Sequence, residues 1–483
     1  FDIEHTSSEI DYALSLLLQN EGSLLYFICK VCSSMPDKKP ISQGLELIIR
    51  LIKNNKLFNE KYFQKYAANI KNACMNVIKT EKIHADCKTK AYFVLIILFQ
   101  TKSYFKHSLF DDNEVKKFVD HLMSELCNEK KSTPMVLQKI YELWGVLGEH
   151  YETYVSPKAG QIMRNMVFKL KNQTNSREDV NISLLTGIVT GLTGLMVNFS
   201  PDGMSTMEDV CSSNTQHNYL VTIYESIKIL SVFDPNHTRR MAHRAALKLF
   251  ERHLSLFLEY IFPNNVIWWH ENLRKWIYKL GEDRKVGIAV SSKFQEVIAY
   301  HLSCSEGPTT QKIFQYFVRY YKDTLESSET PPQELTLAIQ GFGSLSRACN
   351  NLLSSKDVEV MFSLVLQRVQ QSLMREDSEN EKYENLADFI ESLSNISREI
   401  KNMSEGQLGS MEKLCILAIS SFPTLLPRLQ PNIIKALKIN LINIALVNGN
   451  MLDSFLSTVV YQGVVRTCSH IGLGLQGAEI QVK

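Results

Sequence analysis

Residues Glu334–Leu373 read ELTLAIQGFGSLSRACNNLLSSKDVEVMFSLVLQRVQQSL. Leu335, Ala338, Ile339, Phe342 and Leu345 recur at i, i+3, i+4, i+7 and i+10. Val358, Met361, Phe362, Val365 and Val369 recur at i, i+3, i+4, i+7 and i+11. Each set forms one apolar stripe at helical period. The spacing predicts two amphipathic helices joined by a polar turn over Asn350–Ser355, with Ser354 and Asp357 as an S-x-x-D start signal for the second. Such a pair leaves apolar surface uncovered. It needs a neighbour on each side, which is the logic of a helical solenoid.

The same theme runs along the chain. Helical apolar spacing recurs over Glu9–Cys32, Ile41–Leu57, Lys61–Thr80, Ala85–Gln100 and a segment opened by Asp111-Asp-Asn-Glu114. In that last segment Val115, Phe118, Val119, Leu122 and Leu126 share a face. Pro134 starts the next helix, a position where its missing N–H costs nothing. Further helices are expected over Lys158–Lys171, Val180–Asn198, Asn218–Phe233, Arg239–Phe262, Val266–Leu280 and Arg284–Ser303. Beyond the opening pair come Tyr383–Ile396, Gln407–Ser421, Pro431–Val447 and Leu452–Cys468. Helices thus return roughly every 20–25 residues, the spacing of HEAT and armadillo units. Period-two alternation is nearly absent, so strands are not expected. The expected fold is all-α: a curved α-solenoid of HEAT-like antiparallel helix pairs over residues 1–471, with 472–483 as a tail. Three polar stretches, Asn172–Asp179, Asp202–Gln216 and Arg375–Glu384, read as loops.

With 45% hydrophobic and 22% charged residues, the 483-residue chain is no disordered polypeptide. Its net charge of +2 rules out a global basic field, so any nucleic-acid site must be local. The ten cysteines lie mostly inside apolar helical patterns, which indicates buried thiols in a reducing compartment. The chain opens on Phe1 without a signal sequence and reads as a piece of something longer. Its longest apolar run, Ala91–Phe99, is too short to span a bilayer.

No catalytic set emerges. Gly472-Leu-Gly474-Leu-Gln-Gly477 matches G-x-G-x-x-G, but the dinucleotide site needs a strand before it and a helix after it. Cys29-Lys-Val-Cys32 lacks a second ligand pair nearby in sequence for tetrahedral zinc. His237, His243, His253 and His270 follow no ligand spacing and read as structural, as do Trp268, Trp269 and Trp276. No P-loop or kinase catalytic-loop pattern occurs.

One electrostatic feature stands out. Lys61–Lys106 holds nine lysines, no arginine and two acids, a net +7 in 46 residues. Lysines so placed can neutralise phosphates without reading sequence. They can equally form a solvated face whose stems cover apolar surface. The phosphate candidates are Lys71, Lys79, Lys82, Lys88 and Lys90, with a secondary cluster at Arg239, Arg240 and Arg244.

Several stretches, in order, resemble the N-terminal helical region of a DNA-repair member of the phosphatidylinositol-3-kinase-related kinase family. They are Ile70-Lys-Asn-Ala-Cys74, Val136–Glu149 (VLQKIYELWGVLGE), Gly191–Phe199 (GLTGLMVNF), Leu337–Arg368 and Ser457–Arg466 (STVVYQGVVR). The resemblance implies a HEAT-repeat scaffold within a nuclear serine/threonine kinase of non-homologous end joining. It implies double-stranded DNA ends, the Ku heterodimer and the rest of the same chain as partners, and no membrane. ATP and magnesium belong to the parent's kinase domain, so no cofactor and no catalysis are expected in this stretch. The competing expectation is a generic HEAT-repeat adaptor for proteins, without nucleic-acid contact.

Overall fold

The computed structural model describes residues 23–34, 37–54, 60–100, 111–127, 132–176, 180–201, 218–236, 239–374, 385–398, 400, 404–421, 429–447, 449 and 452–470. Among these, twenty α-helices and a short 3-10 turn account for the regular structure, and no strand occurs. The chain is an all-α solenoid of antiparallel helix pairs. It divides into two compact units, Phe1–His253 and Leu254–Lys483.

The first unit contains α1 (Ser23–Ser34), α2 (Lys38–Lys53), α3 (Glu60–Lys79), α4 (Ala85–Gln100) and α5 (Asp112–Cys127). These are followed by α6 (Pro134–His150), α7 (Glu152–Asn175), α8 (Ile182–Leu195), α9 (Tyr219–Ser231) and α10 (Arg240–Arg252). Helices pack mainly on the next but one: α1 on α3, α5 on α7 and α7 on α9 in one layer, α2 on α4, α4 on α6, α6 on α8 and α8 on α10 in the other. Successive helices also touch across the layers, as α1 does α2 and α3 does α4. Each stripe read from sequence is thereby split between a partner in its own pair and a neighbour in its own layer. The five expected face residues of α5, Val115 to Leu126, are all buried. Removing such side chains from water is the main stabilising term, at about 1.5–3 kcal/mol for each fully buried large aliphatic or Phe.

Between α6 and α8 the backbones themselves meet. A Cβ on Gly145 would lie 2.8 Å from the Gly191 carbonyl oxygen, and one on Gly187 would lie 2.6 Å from the backbone of Gln138. Gly187, Gly191 and Gly194 fall at i, i+4 and i+7, so one face of α8 carries no side chain where α6 crosses it.

The second unit contains α11 (Leu254–Ile261), α12 (Val266–Ile277), α13 (Glu282–Cys304), α14 (Pro308–Glu326) and α15 (Pro332–Ala348). A 3-10 turn (Asn350–Leu352) leads to α16 (Ser355–Met374), then α17 (Leu386–Ser397), α18 (Glu405–Ser421), α19 (Gln430–Val447) and α20 (Leu452–His470). One layer runs α11, α13, α15, α17, α19; α14 packs on α16, and α18 on α20, in the other. All ten stripe residues of the Glu334–Leu373 pair are buried, and the N–H of Asp357 bonds Ser354 Oγ at 3.2 Å as the start signal predicts. Gly341 and Gly343 point opposite ways: a Cβ on the first would strike Tyr321, and on the second Ser392. Arg368 ties α16 to the end of α14, donating from Nε to the Leu325 carbonyl (2.6 Å) and from another N–H to that of Ser327 (2.7 Å).

The sequence reading differs at four places. It has no helix over Pro308–Glu326, although Ile313, Phe317 and Tyr321 recur there every fourth residue and Pro308 occupies the first turn. It starts α7 after Pro157, whereas the helix begins at Glu152 and carries the proline inside it, past the first turn, where the ring leaves the Thr153 carbonyl without its i+4 N–H partner. It continues one helix over Arg239–Phe262, but the helix stops at Arg252 and a second begins at Leu254. Residues 172–175 of the expected Asn172–Asp179 loop are the last of α7, where Thr174 bonds back to the Leu170 carbonyl at 2.9 Å. The expected loops at Asp202–Gln216 and Arg375–Glu384, and the tail at 472–483, lie outside the described residues.

Candidate nucleic-acid interface

The lysine-rich stretch folds into α3, the turn after it and α4. On α3, Lys71, Asn72, Met75, Asn76 and Lys79 occupy one face. Glu114, Lys117, Phe118 and His121 do the same on α5. Together they line a groove of about 500 Å³. Asp111 and Glu114 cap the start of α5 reciprocally: Glu114 N–H donates to Asp111 Oδ1 (2.7 Å) and Asp111 N–H to Glu114 Oε2 (3.2 Å).

The five candidate lysines separate by environment. Lys71 is 7% exposed, and its ammonium donates to both carboxylate oxygens of Glu114 at 2.9 and 2.8 Å. It holds α3 against α5 and offers no free charge. Lys90 is half-buried, donates to Ser42 Oγ (2.8 Å) and lies 3.7 Å from Glu46 and 3.9 Å from Asp86, tying α4 to α2. Lys79 and Lys82 are exposed and Lys88 is half-exposed.

His121 marks where the remaining charges converge. Burial lowers its pKa from the ordinary value; Glu125 opposes this, and Lys79 and Lys88 push further down. Both lysines therefore lie within electrostatic reach of the ring, whose buried Nε2 has no hydrogen-bond partner. Lys117 joins Lys79 in the groove. Neither His121 nor Lys117 is a candidate from sequence, because both fall beyond Lys106, the end of the lysine run. The usable signal is the i, i+3, i+4, i+7 set Glu114, Lys117, Phe118 and His121.

Arg239, Arg240 and Arg244 sit at the start of α10, all half-buried, and the last two have partners of their own. They are not part of this groove. His243 and His253 bond the carbonyls of Leu230 and Thr193, and His270 pairs with the Tyr316 hydroxyl at 2.9 Å. Trp269 and Trp276 are core residues, with Trp268 edge-on to Trp269. His237 and the glycine motif at 472–477 lie outside the described residues.

Cys29 and Cys32 of α1 are buried, and so are Cys74 and Cys87 from α3 and α4. Burial first, then neighbouring thiols, pushes Cys29 up to about 12 and Cys32 to about 11. These are inert core thiols at neutral pH. Among the described residues no group of three or more His, Cys, Asp or Glu is placed to hold a metal ion, and no helix is long and apolar enough to cross a membrane.

A family model described as "DNA-PKcs, N-terminal" matches residues 11–478. The DNA-dependent protein kinase catalytic subunit of Xenopus laevis is 28% identical over 469 residues, covering 96% of this chain and 11% of that protein. That of Canis lupus familiaris is 27% identical over 475 residues, with the same coverages. The chain therefore spans about a tenth of the length of these relatives. Among solved structures, Kap121p bound to RanGTP covers 97% of this chain and 55% of its own, at 11% identity and a TM-score of 0.35. That last likeness is too low to carry an argument.

Proposed function

This chain belongs to the DNA-PKcs N-terminal family, and on that premise we propose that it is a non-catalytic scaffold segment of a DNA-repair kinase, one that helps cradle double-stranded DNA ends and the Ku complex in the nucleus. The kinase chemistry, with its ATP and magnesium, belongs on this reading to another part of the longer protein. The observation that carries the reading beyond family membership is the groove between α3 and α5. Its cations Lys79 and Lys117, with Lys88 nearby, are not paired with the groove's one acid, because Glu114 is taken up by Lys71. Lysines on rigid helices hold a phosphate backbone by charge and counterion release, without base readout. The candidates thus narrow to Lys79, Lys82 and Lys88, with Lys117 added.

The test is duplex-DNA affinity against salt for wild type and a Lys79→Glu/Lys88→Glu/Lys117→Glu variant. The salt slope falls by about 0.9 for each phosphate no longer neutralised. Equal affinity and equal slope in the two proteins would overturn the DNA-cradling reading and leave the protein-adaptor one. Retention of DNA-loaded Ku by wild type and not by the variant would support the joint assembly.

A further inference from the structure

A second groove, in the other unit, lies between α14 and the link from α15 into α16, and encloses about 340 Å³. Its floor is apolar. Phe314 and Val318 stand one turn apart on α14, and Leu352, the last residue of the 3-10 turn, and Leu353 after it complete the apolar lining. Leu352 is 44% exposed, so its side chain is open to a partner. One end of the α14 wall is cationic. Arg319 lies 4.0 Å from Asp323, and Lys322 lies 3.8 Å from Glu326. Both separations exceed hydrogen-bond length, so these cations keep N–H donors for another carboxylate. Gln311 and Gln315, exposed on the same wall, supply amides suited to a peptide backbone. The single carboxylate of the lining, Asp357, accepts from the hydroxyl of Ser354, the residue that caps α16.

We propose that this groove docks an acidic peptide segment of a partner protein, with an apolar anchor over Phe314 and Leu352 and carboxylates on Arg319 and Lys322. A basic segment would meet like charge along α14. A nucleic acid would set its charged backbone over an apolar floor. An acidic segment with one or two large apolar side chains satisfies floor and wall together, as anchored interfaces do.

The probe is a fluorescein-labelled 12-residue peptide alternating Leu or Phe with Asp or Glu, titrated with the 483-residue chain by fluorescence polarisation. Two control peptides replace the acids by Lys or the apolar residues by Ser. Saturable binding of the acidic peptide is expected, with neither control bound. The affinity falls at least tenfold for Arg319→Glu/Lys322→Glu and also for Leu352→Ser. All three substitutions lie at the surface, and circular dichroism checks that each variant is folded. The Lys peptide gains affinity for the Arg319→Glu/Lys322→Glu variant. No saturable binding, equal affinity in wild type and charge-swapped protein, or equal binding of acidic and Lys peptides overturns the proposal. Displacement of the peptide by a 20-base-pair duplex, with duplex binding weakened by the same two substitutions, also overturns it in favour of nucleic acid.

Discussion

Gly145 of α6 and Gly191 of α8 touch backbone to backbone: a Cβ on Gly145 would stand 2.8 Å from the Gly191 carbonyl oxygen and 2.9 Å from its Cα. Neither atom can swing away as the end of a side chain could. Gly145→Ala must therefore separate the helices and disturb two core faces. The expected loss is about 1–3 kcal/mol, the usual cost of overpacking. At Gly160 of α7 an added methyl would have nothing within 4 Å, and Gly160→Ala should instead stabilise by about 0.5–1 kcal/mol through helix propensity. Thermal unfolding of the two variants beside wild type checks both signs. A neutral Gly145→Ala would show that α6 and α8 can shift apart without cost.

Glu334, the first residue of the stretch that defines the fold, is 4% exposed and carries its charge into the interior. It accepts from Arg274 Nε at 2.8 Å and from the Tyr320 hydroxyl at 3.1 Å, with further bonds from Arg274 and from the Tyr278 hydroxyl. The Arg274 guanidinium also lies over the Tyr320 ring, 4.6 Å from its centroid. Glu334→Ala leaves these donors facing one another. The expected cost is about 2–3 kcal/mol, below that of a fully buried pair because Arg274 is partly open to solvent. A double-mutant cycle with Arg274→Ala should return a coupling that survives high salt. A coupling near zero would mean the cluster is solvated.

Lys71 is expected to behave as a structural residue. Lys71→Ala should lower thermal stability by about 1–3 kcal/mol, since it removes a buried charge-assisted pair and frees Glu114. The freed carboxylate lies in the α3–α5 groove, so duplex-DNA affinity should fall without the change in salt slope that removal of a phosphate ligand brings. Lys71→Met restores the packing of the stem and should recover part of the stability. Full DNA affinity in Lys71→Ala at unchanged stability would contradict this role.

Burial, and next the Arg274 charge, lower the His270 pKa to about 3. The folded state keeps the ring neutral where the unfolded chain, near pKa 6.5, takes up a proton. The unfolded state therefore binds more protons between these values. Stability is fully present above about pH 6.5 and declines as pH falls toward about 3. His253 is lowered chiefly by burial and adds to the same trend. Denaturant midpoints between pH 7 and 4 should drop in wild type and drop less in His270→Phe, whose ring fills the space beside Phe317 and Tyr320 without a titrating group. Equal slopes in the two would show that other groups govern acid unfolding.

The solenoid was legible because each helix carries its period in its own residues. The stripes of Val115–Leu126, Leu335–Leu345 and Val358–Val369 needed no tertiary information, and the cap at Ser354 follows from two residues three apart. The helix Pro308–Glu326 is not legible in the same way, since its tyrosines and glutamines blur the stripe that Ile313, Phe317 and Tyr321 define. Glycines at 187, 191 and 194 look like helix breakers until α6 is seen against them.

Local spacing thus determined that this chain forms paired helices, and the order of its motifs placed it in its family. Only the tertiary structure decided what its charges do. Lys71 and Lys90 are indistinguishable in sequence from Lys79 and Lys88. Their difference comes from Glu114 and Glu46, which lie 43 and 44 residues away along the chain and within 4 Å in space. A period reports which face of a helix is buried. The charge that faces it across a layer is set by packing alone.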